Sequence, residues 1–393
     1  MWTLFIVLTI PLFAGAAFML LLSVWLLLQR LRRVEDVPLA AYPKVAVVVP
    51  HYNEDAQRLL QALTALERQD YPGILEVFAV DDGSTNGVQQ GLQLGLARSF
   101  RRPVHSIVLD RNSGSKGKAI DRALELLPAD AEVLVILDSD TFVEPEGVRR
   151  LVERMWRDER CAAVCGFIVP ANSGDGFLAR LQYAEHIGIY PAVKTAQDRI
   201  GRVAVMAGAF VAHRMSVVRK LGGFGAWIVE DIAWTWAALA AGYRTGYAPS
   251  AVAYTYCPTT LSGLLRQRRR WARGRVEALR AAFAVSKLKA ILLLPWFLLW
   301  ALSLSPPTLC LMPLLAVHFE QWWVFGMMAG STALYLGMFE LYQRTLPRQL
   351  RKALSEVIRS SFESTLLEVL IWRPNLQGAF DEVFGRRKVW MTR

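Results

Sequence analysis

The run from Trp2 to Leu28 holds 27 residues without a single charge, and that feature limits what the chain can become. A helix needs about 20 predominantly apolar residues to cross the hydrocarbon core of a bilayer. A cleaved leader would open on basic residues, continue through a shorter apolar core and end at small residues. Here Arg30, Arg32 and Arg33 come after the run, so the expectation is a retained span with its basic end in the cytoplasm and Met1 outside. Composition agrees. Hydrophobic residues make up 53% of the chain and charged residues 20%, below the roughly one-quarter charged of soluble domains, which excludes a disordered or fibrous chain.

A second apolar region, Ala290 to about Val317, is interrupted by Pro295, Pro306, Pro307 and Pro313, so a kink or re-entrant break is expected. A third, Gln321 to Phe339, opens on Trp322 and Trp323, residues that anchor helices at membrane interfaces. Arg344, Arg348, Arg351, Lys352 and Arg359 follow. Three crossings place both basic clusters in the cytoplasm, whereas two short spans in the proline-rich region would put the second cluster outside. The stretch 361–372 is apolar but carries Glu363 and Glu368, and reads as a helix lying in the interface. The expected organisation is a membrane helix and basic linker (1–41), a cytoplasmic domain (42–258), an amphipathic region (259–289), membrane helices (290–340) and a basic interfacial tail (341–393). This describes a multi-pass protein of the inner (cytoplasmic) membrane, with lipids among its partners.

Between the spans the apolar period changes. Val45–Val49, Val77–Val80 and Val133–Leu137 are short, continuous β-branched runs, separated by helical stretches over Asp55–Gln69 and Lys118–Leu127. Such alternation predicts an α/β domain with a mostly parallel, doubly wound sheet. Ligands bind beyond the C-terminal strand ends of such sheets. Each run ends in polar chemistry there: Asn53-Glu54, Asp81-Asp82 and Asp138/Asp140.

Each cluster has a structural and a chemical reading. Asp81-Asp82-Gly83-Ser84 is turn chemistry, or a carboxylate that accepts hydrogen bonds from a nucleobase or ribose. Asp138-Ser139-Asp140 caps a following helix, or joins two carboxylates whose mutual repulsion is relieved by Mg²⁺ or Mn²⁺ shared with substrate phosphates. The loop 112–118 delivers Lys116 and Lys118 to a helix start, where a diphosphate would offset their conflict with the helix dipole. Glu230-Asp231 is an acidic helix start, or supplies a general base. The run Gln267 to Arg275 is a lipid-facing basic helix, or a gate where arginines hold a leaving diphosphate and Trp271 stacks on a sugar. Formal charge is +11, from 45 basic and 34 acidic residues. Basic-aromatic patches appear nowhere else, so no nucleic-acid partner is expected. Cys161 and Cys165 lie in an apolar run with no histidine or second pair nearby, and read as core residues, not zinc ligands.

In order, Val49-Pro-His-Tyr-Asn-Glu54, Asp81-Asp-Gly-Ser84, Asp138-Ser-Asp140, Val229-Glu-Asp231 and Gln267-x-x-Arg270-Trp271 resemble the processive family 2 glycosyltransferases, the membrane synthases of cellulose, hyaluronan, chitin and poly-N-acetylglucosamine. The resemblance spans about Tyr42 to Ala278. It implies a GT-A-type domain and an inverting transfer from a UDP-sugar to a growing polysaccharide. Asp81 or Asp82 would bind uridine, with Asn53 and Glu54 beside them. Asp138 and Asp140 would hold nucleotide and metal, Lys116 or Lys118 would be the loop lysine, and Asp231 would be the base, with Glu230 on the substrate. Gln267, Arg270 and Trp271 would form the gate, and Gly208 through Arg214 the acceptor-side loop. The segment from Glu230 through Trp271 most resembles makers of N-acetylglucosamine polymers. Glucose polymers, hyaluronan-type alternation and a single transfer to a lipid carrier stay open beside it. Val229 stands where the family usually has Thr. The small membrane part implies a homo-oligomer or an accessory export protein to complete a channel.

Overall fold

The computed structural model describes residues 1–31, 37–96, 100, 102–301, 305–344, 346 and 351–386. Arg32, Arg33 and Arg348 of the basic clusters therefore lie outside the described residues. The uncharged run forms one helix, α1 (Trp2–Leu31), continuous through Pro11. The domain then opens with β1 (Val45–His51), α2 (Ala56–Glu67), β2 (Leu75–Asp81), α3 (Val88–Leu96) and β3 (Val104–Val108). It continues through α4 (Lys116–Leu124), β4 (Val133–Leu137), β5 (Thr141–Val143), α5 (Gly147–Trp156) and β6 (Cys161–Pro170). Next come α6 (Phe177–Ile187), α7 (Ile189–Asp198), β7 (Phe210–Arg214), α8 (Met215–Lys220), α9 (Glu230–Ala241) and β8 (Arg244–Thr255).

The period-2 logic of a strand buried on both faces is visible in β1. Val45, Val47 and Val49 join Leu59, Leu63 and Leu66 of α2 and Leu151 of α5 in one core. Ala46 and Val48 point the other way, into a core with Ile120 of α4 and Trp234 of α9. Because both faces are covered, the strands read as unbroken apolar runs.

The eight strands run in the order β3-β2-β1-β4-β7-β6-β8-β5. The half β3-β2-β1-β4 is parallel throughout, as expected. β7 then enters antiparallel to β4 and β6, while β6 and β8 pair in parallel and β5 closes the edge antiparallel to β8. The sheet is therefore mixed. Phe210–Arg214, expected as part of a loop, is a central strand whose Phe210, Val211 and Ala212 are fully buried. Only the turn at Gly208 and Ala209 faces the cavity.

Beyond the sheet, α10 (Leu261–Val285) leads to α11 (Lys287–Ile291), α12 (Leu294–Ala301), α13 (Ser305–His318), α14 (Trp323–Gln343) and α15 (Leu354–Val383). Among the described residues, the two stretches long and apolar enough to cross a membrane are Trp2–Leu28 and Trp323–Gln343. The middle region, where a kink or re-entrant break is expected, carries α12 and α13. Pro295 and Pro306 fall in the first turns of α12 and α13, where a missing N–H costs nothing and a helix starts readily. α1 packs on α13 and α14 through Phe5, Leu8 and Leu12 against Met312, Leu315 and Val324. α15 runs well past both ends of the expected 361–372 helix and lies against α10 and α6. Gly378 permits the crossing: a Cβ there would stand 2.2 Å from the Arg269 carbonyl oxygen. Arg269 binds Asp381 at 2.5 Å, and Arg273 and Arg280 bind Glu382 at 3.2 and 2.6 Å. Part of the basic run thus fastens the tail helix to α10.

Candidate active site

Four elements deliver charged groups to one place beyond the C-terminal ends of β1, β2 and β4. β4 stops at Leu137, and Asp138 donates its N–H to the Ala209 carbonyl at 3.0 Å. The Asp138 side chain is 31% exposed toward the cavity. Asp140 is buried, and its Oδ1 accepts from the hydroxyls of Thr255 and Thr141 at 3.3 and 3.4 Å. Two carboxylates at one strand end give hard oxygen donors to a cation. Among the described residues no third His, Cys, Asp or Glu completes a cluster, so a bound cation would draw its remaining ligands from substrate and water.

Lys116 settles on Asp138. Ser115 caps α4 through the Lys118 N–H, so the helix begins at Lys116 and its Nζ turns inward. That Nζ lies 2.5 Å from Asp138 Oδ1, 3.3 Å from Glu230 Oε1 and 3.0 Å from the Gly208 carbonyl oxygen. Burial opposes its charge, but Asp138, Glu230 and Asp231 together hold its pKa above the usual lysine value. Lys118 is exposed and does not line the cavity. Of the two lysines the sequence leaves open, Lys116 is therefore the one that lines the cavity: two positions along a helix turn a side chain through about 200°, onto the opposite face.

Asp81 and Asp82 divide in the same way. Asp81 Oδ1 accepts the Ser84 N–H and its Oδ2 accepts from Gln89, each at 2.8 Å. It organises the loop after β2 and does not line the cavity. Asp82 does line it, accepting the Ser113 N–H at 2.9 Å and the Ser113 hydroxyl at 2.8 Å. Burial raises the Asp82 carboxyl above the ordinary range against those two hydrogen bonds. Asn53, with φ +54°, accepts the Thr85 N–H and donates its own N–H to Ser84. It ties two loops together and stands outside the lining, whereas Glu54 and His51 belong to it.

Glu230 and Asp231 open α9, where the helix dipole favours acids. Asp231 Oδ2 accepts the Gly208 N–H at 2.7 Å and Oδ1 accepts the Ile232 N–H at 2.7 Å. A Cβ on Gly208 would lie 2.7 Å from Asp231 Oδ2, so only glycine admits this contact. Burial and neighbouring Glu230 push the Asp231 carboxyl up to about 7, against Lys116 and the two N–H donors. Val229, in place of the hydroxyl residue, packs onto α10 where Gly274 leaves room; a Cβ on that glycine would stand 2.4 Å from Val229. Glu277 holds the approach to α9 by accepting the Ile228 N–H at 2.7 Å.

Gln267, Arg270 and Trp271 of α10 line the same cavity. Its volume is about 2,220 Å³, and its wall continues past the charged cluster to Leu12 of α1, Thr308 of α13, Tyr335 of α14 and Trp372 of α15. Three further residues support the site. Asp121 accepts the N–H groups of Phe224 and Gly225 at 2.7 and 2.8 Å, holding the loop before α9 against α4. Its spacing from Lys116 was the available signal. Glu185 and Arg268 form a buried ion pair with no signal in the chain, since they are 83 residues apart.

Residues 43–274 match the family described as glycosyltransferase like family 2. An N-acetylglucosaminyltransferase of Azorhizobium caulinodans is 31% identical over 299 residues, covering 71% of this chain and 73% of its own. An N-acetylglucosaminyltransferase of Rhizobium meliloti is 34% identical over 252 residues, 61% of this chain; the match spans 57% of that relative's length. A hyaluronan synthase of Streptococcus pyogenes is 29% identical over 271 residues, covering 66% of this chain and 62% of its own. Among solved structures, a mannosyltransferase from Pyrobaculum calidifontis, in complex with GDP-Man and Mn²⁺, shares the fold at TM-score 0.65 and 20% identity, covering 98% of this chain and 99% of its own. The matched residues include Asp82, Lys116, Asp138, Asp140, Glu230, Asp231, Gln267, Arg270 and Trp271, all of which line the cavity, and the chain is a glycosyltransferase of family 2.

Proposed function

We propose that the protein is an inverting, processive synthase that polymerises a UDP-sugar, most consistent with UDP-N-acetylglucosamine, into a β-linked polysaccharide. Transfer takes place at the cytoplasmic face of the inner membrane and is coupled to export through a homo-oligomer or an accessory protein. The observation that carries this reading is the extent of the cavity. A small-molecule pocket occupies about 300–1,000 Å³. The cavity here is roughly twice the upper figure and reaches from the acids to α1 and α13–α15, leaving room for an acceptor chain behind a nucleotide sugar. The names of the relatives at 31–34% identity favour N-acetylglucosamine as the transferred sugar.

Asp82, with Glu54 near it, would receive the uridine, and Lys116 the diphosphate. Asp138 and Asp140 would hold Mg²⁺ or Mn²⁺, which when bound neutralises charge on the leaving UDP. Arg270 and Gln267 would border the diphosphate, and Trp271 would stack on the acceptor sugar. Asp231 accepts the proton of the acceptor hydroxyl as that oxygen attacks the anomeric carbon in one displacement. The bond to UDP breaks as the glycosidic bond forms, through a transition state of oxocarbenium character like that of glycoside hydrolysis. Inversion converts the α-linked donor into a β-linked product.

The test is UDP release by the purified protein in lipid, offered a panel of UDP-sugars with Mn²⁺ or Mg²⁺, with products sized before and after digestion by polymer-specific hydrolases. A long product from UDP-N-acetylglucosamine is expected. Turnover that stops after one sugar on lipid would overturn processivity, and a long product from another donor would overturn the choice of sugar.

A further inference from the structure

Arg268 lies between Gln267 and Arg270, yet it does not line the cavity and is 1% exposed. Its guanidinium makes a two-pronged pair with Glu185, at 3.0 Å from Nη1 to Oε1 and 2.6 Å from Nη2 to Oε2. Nη1 also reaches the Tyr190 hydroxyl at 2.7 Å, and that hydroxyl donates to Glu185 Oε1 at 2.5 Å. The guanidinium carbon stands 4.5 Å from the centre of the Trp271 ring, in cation–π range.

The backbone is shaped for this contact. In one continuous helix, residues five apart point about 140° away from each other, so Tyr190 would not reach Glu185. The chain breaks between α6 and α7 at Gly188, and a Cβ there would stand 2.8 Å from the Ala184 carbonyl oxygen. That break returns Tyr190 onto the Glu185–Arg268 pair. A buried ion pair is a poor device for stability, since apolar residues of similar volume serve as well or better. What it supplies is direction: a planar fork locked by a carboxylate and a hydroxyl has one orientation.

We propose that Glu185 and Tyr190 are positioning residues for the acceptor sugar: acting through Arg268, they fix the plane of the Trp271 ring at the cavity wall. The inference rests on the reading of Trp271 as the acceptor platform. Glu185 and Tyr190 also line the cavity; the effect proposed for them passes through the arginine, and the Trp271 line reads that effect separately from any direct contact with substrate.

The experiment uses the full chain in detergent, labelled with 5-fluorotryptophan, the Trp271 line among the 13 tryptophans being assigned by its loss in Trp271→Phe. Kinetics are measured with UDP-N-acetylglucosamine and a β-1,4-linked N-acetylglucosamine tetramer as acceptor. The variants are Tyr190→Phe, Arg268→Lys, and the charge-neutral double change Glu185→Met with Arg268→Met. The double change leaves no unpaired charge from this pair, and Tyr190→Phe decides the question if the double variant does not fold. In each folded variant the Trp271 line should move or broaden while the other lines stay. The acceptor KM should rise by about fivefold or more with the donor KM within about twofold, the split expected of a misplaced binding surface. Rescue by Arg268→Lys would show that charge alone suffices and would overturn the role of the fork. An unchanged Trp271 line and acceptor KM in a folded variant would overturn the proposal outright. If the wild-type protein does not elongate the tetramer, the synthase reading fails, while the Trp271 resonance still decides whether the network sets the ring.

Discussion

The role proposed for Asp231 as a base rests on what surrounds it. A carboxylate at its ordinary pKa holds a proton too weakly to be an effective acceptor near neutrality; burial and Glu230 push this one up to about 7. The active base form is present above that value and is lost as pH falls through it. The kcat/KM profile should therefore bend downward below about pH 7, and a flat profile from pH 5 to 8 would contradict the assignment. The sign for stability is opposite: a carboxyl whose folded pKa is raised favours folding in its protonated form, so its contribution weakens as pH rises from about 4 to about 7. Lys116 is the counterweight to the same acids. Lys116→Met should weaken donor binding and lower stability by roughly 3 kcal/mol, the order found when one partner of a buried pair is removed; thermal unfolding and donor titration read both. At this scale the chain was half legible. Asp81 against Asp82 and Lys116 against Lys118 stayed open because neighbouring strand residues alternate faces and a helix turns 100° per residue. Choosing between them requires knowing where each element ends, which Ser115 as cap and the Asp82 N–H bond to the His51 carbonyl fix only in the fold.

Elements with both faces buried announced themselves: β1, β2, β4 and β6 all fall on continuous apolar runs. β7 did not. Its five residues include His213 and Arg214, and strand direction leaves no mark on the apolar pattern, so the antiparallel insertion beside β4 was invisible. The tail helix was read as interfacial because Glu363 and Glu368 break its apolar run. Its true length depends on partners distant in sequence, the arginines of α10 that take up Asp381 and Glu382. The α10–α15 crossing makes a sharp prediction. Gly378→Leu places side-chain carbon where the Arg269 carbonyl lies within 2.2 Å of a Cβ, and backbone cannot yield as a side-chain tip can. Overpacking of this kind costs about 1–3 kcal/mol. The variant should lose thermal stability and transfer activity together, while Gly330→Leu, where a Cβ meets nothing within 4 Å, should leave both near wild type.

The whole molecule joins a mixed α/β domain to a small helical part; among the described residues, two helices are long and apolar enough to cross a membrane. Charge clusters set the orientation we expect, with the proline-rich region between the two long helices as its middle crossing. Single-cysteine labelling in sealed, right-side-out vesicles tests it with Cys310 removed, because that cysteine is exposed while the other three are buried. A cysteine at position 1 should react with an impermeant reagent from outside, and one at position 118 only after the vesicles are opened. The reverse pattern would invert the orientation. The central proposal is that Asp231, at the start of α9, takes the acceptor proton beside the groups that β4, α4 and α10 bring to the cavity. The most direct test is Asp231→Asn, with UDP release and UDP binding measured on the same preparation. Transfer should fall by about 100-fold or more, the scale of a lost general base, with UDP affinity retained. Wild-type transfer by that variant would contradict the proposal.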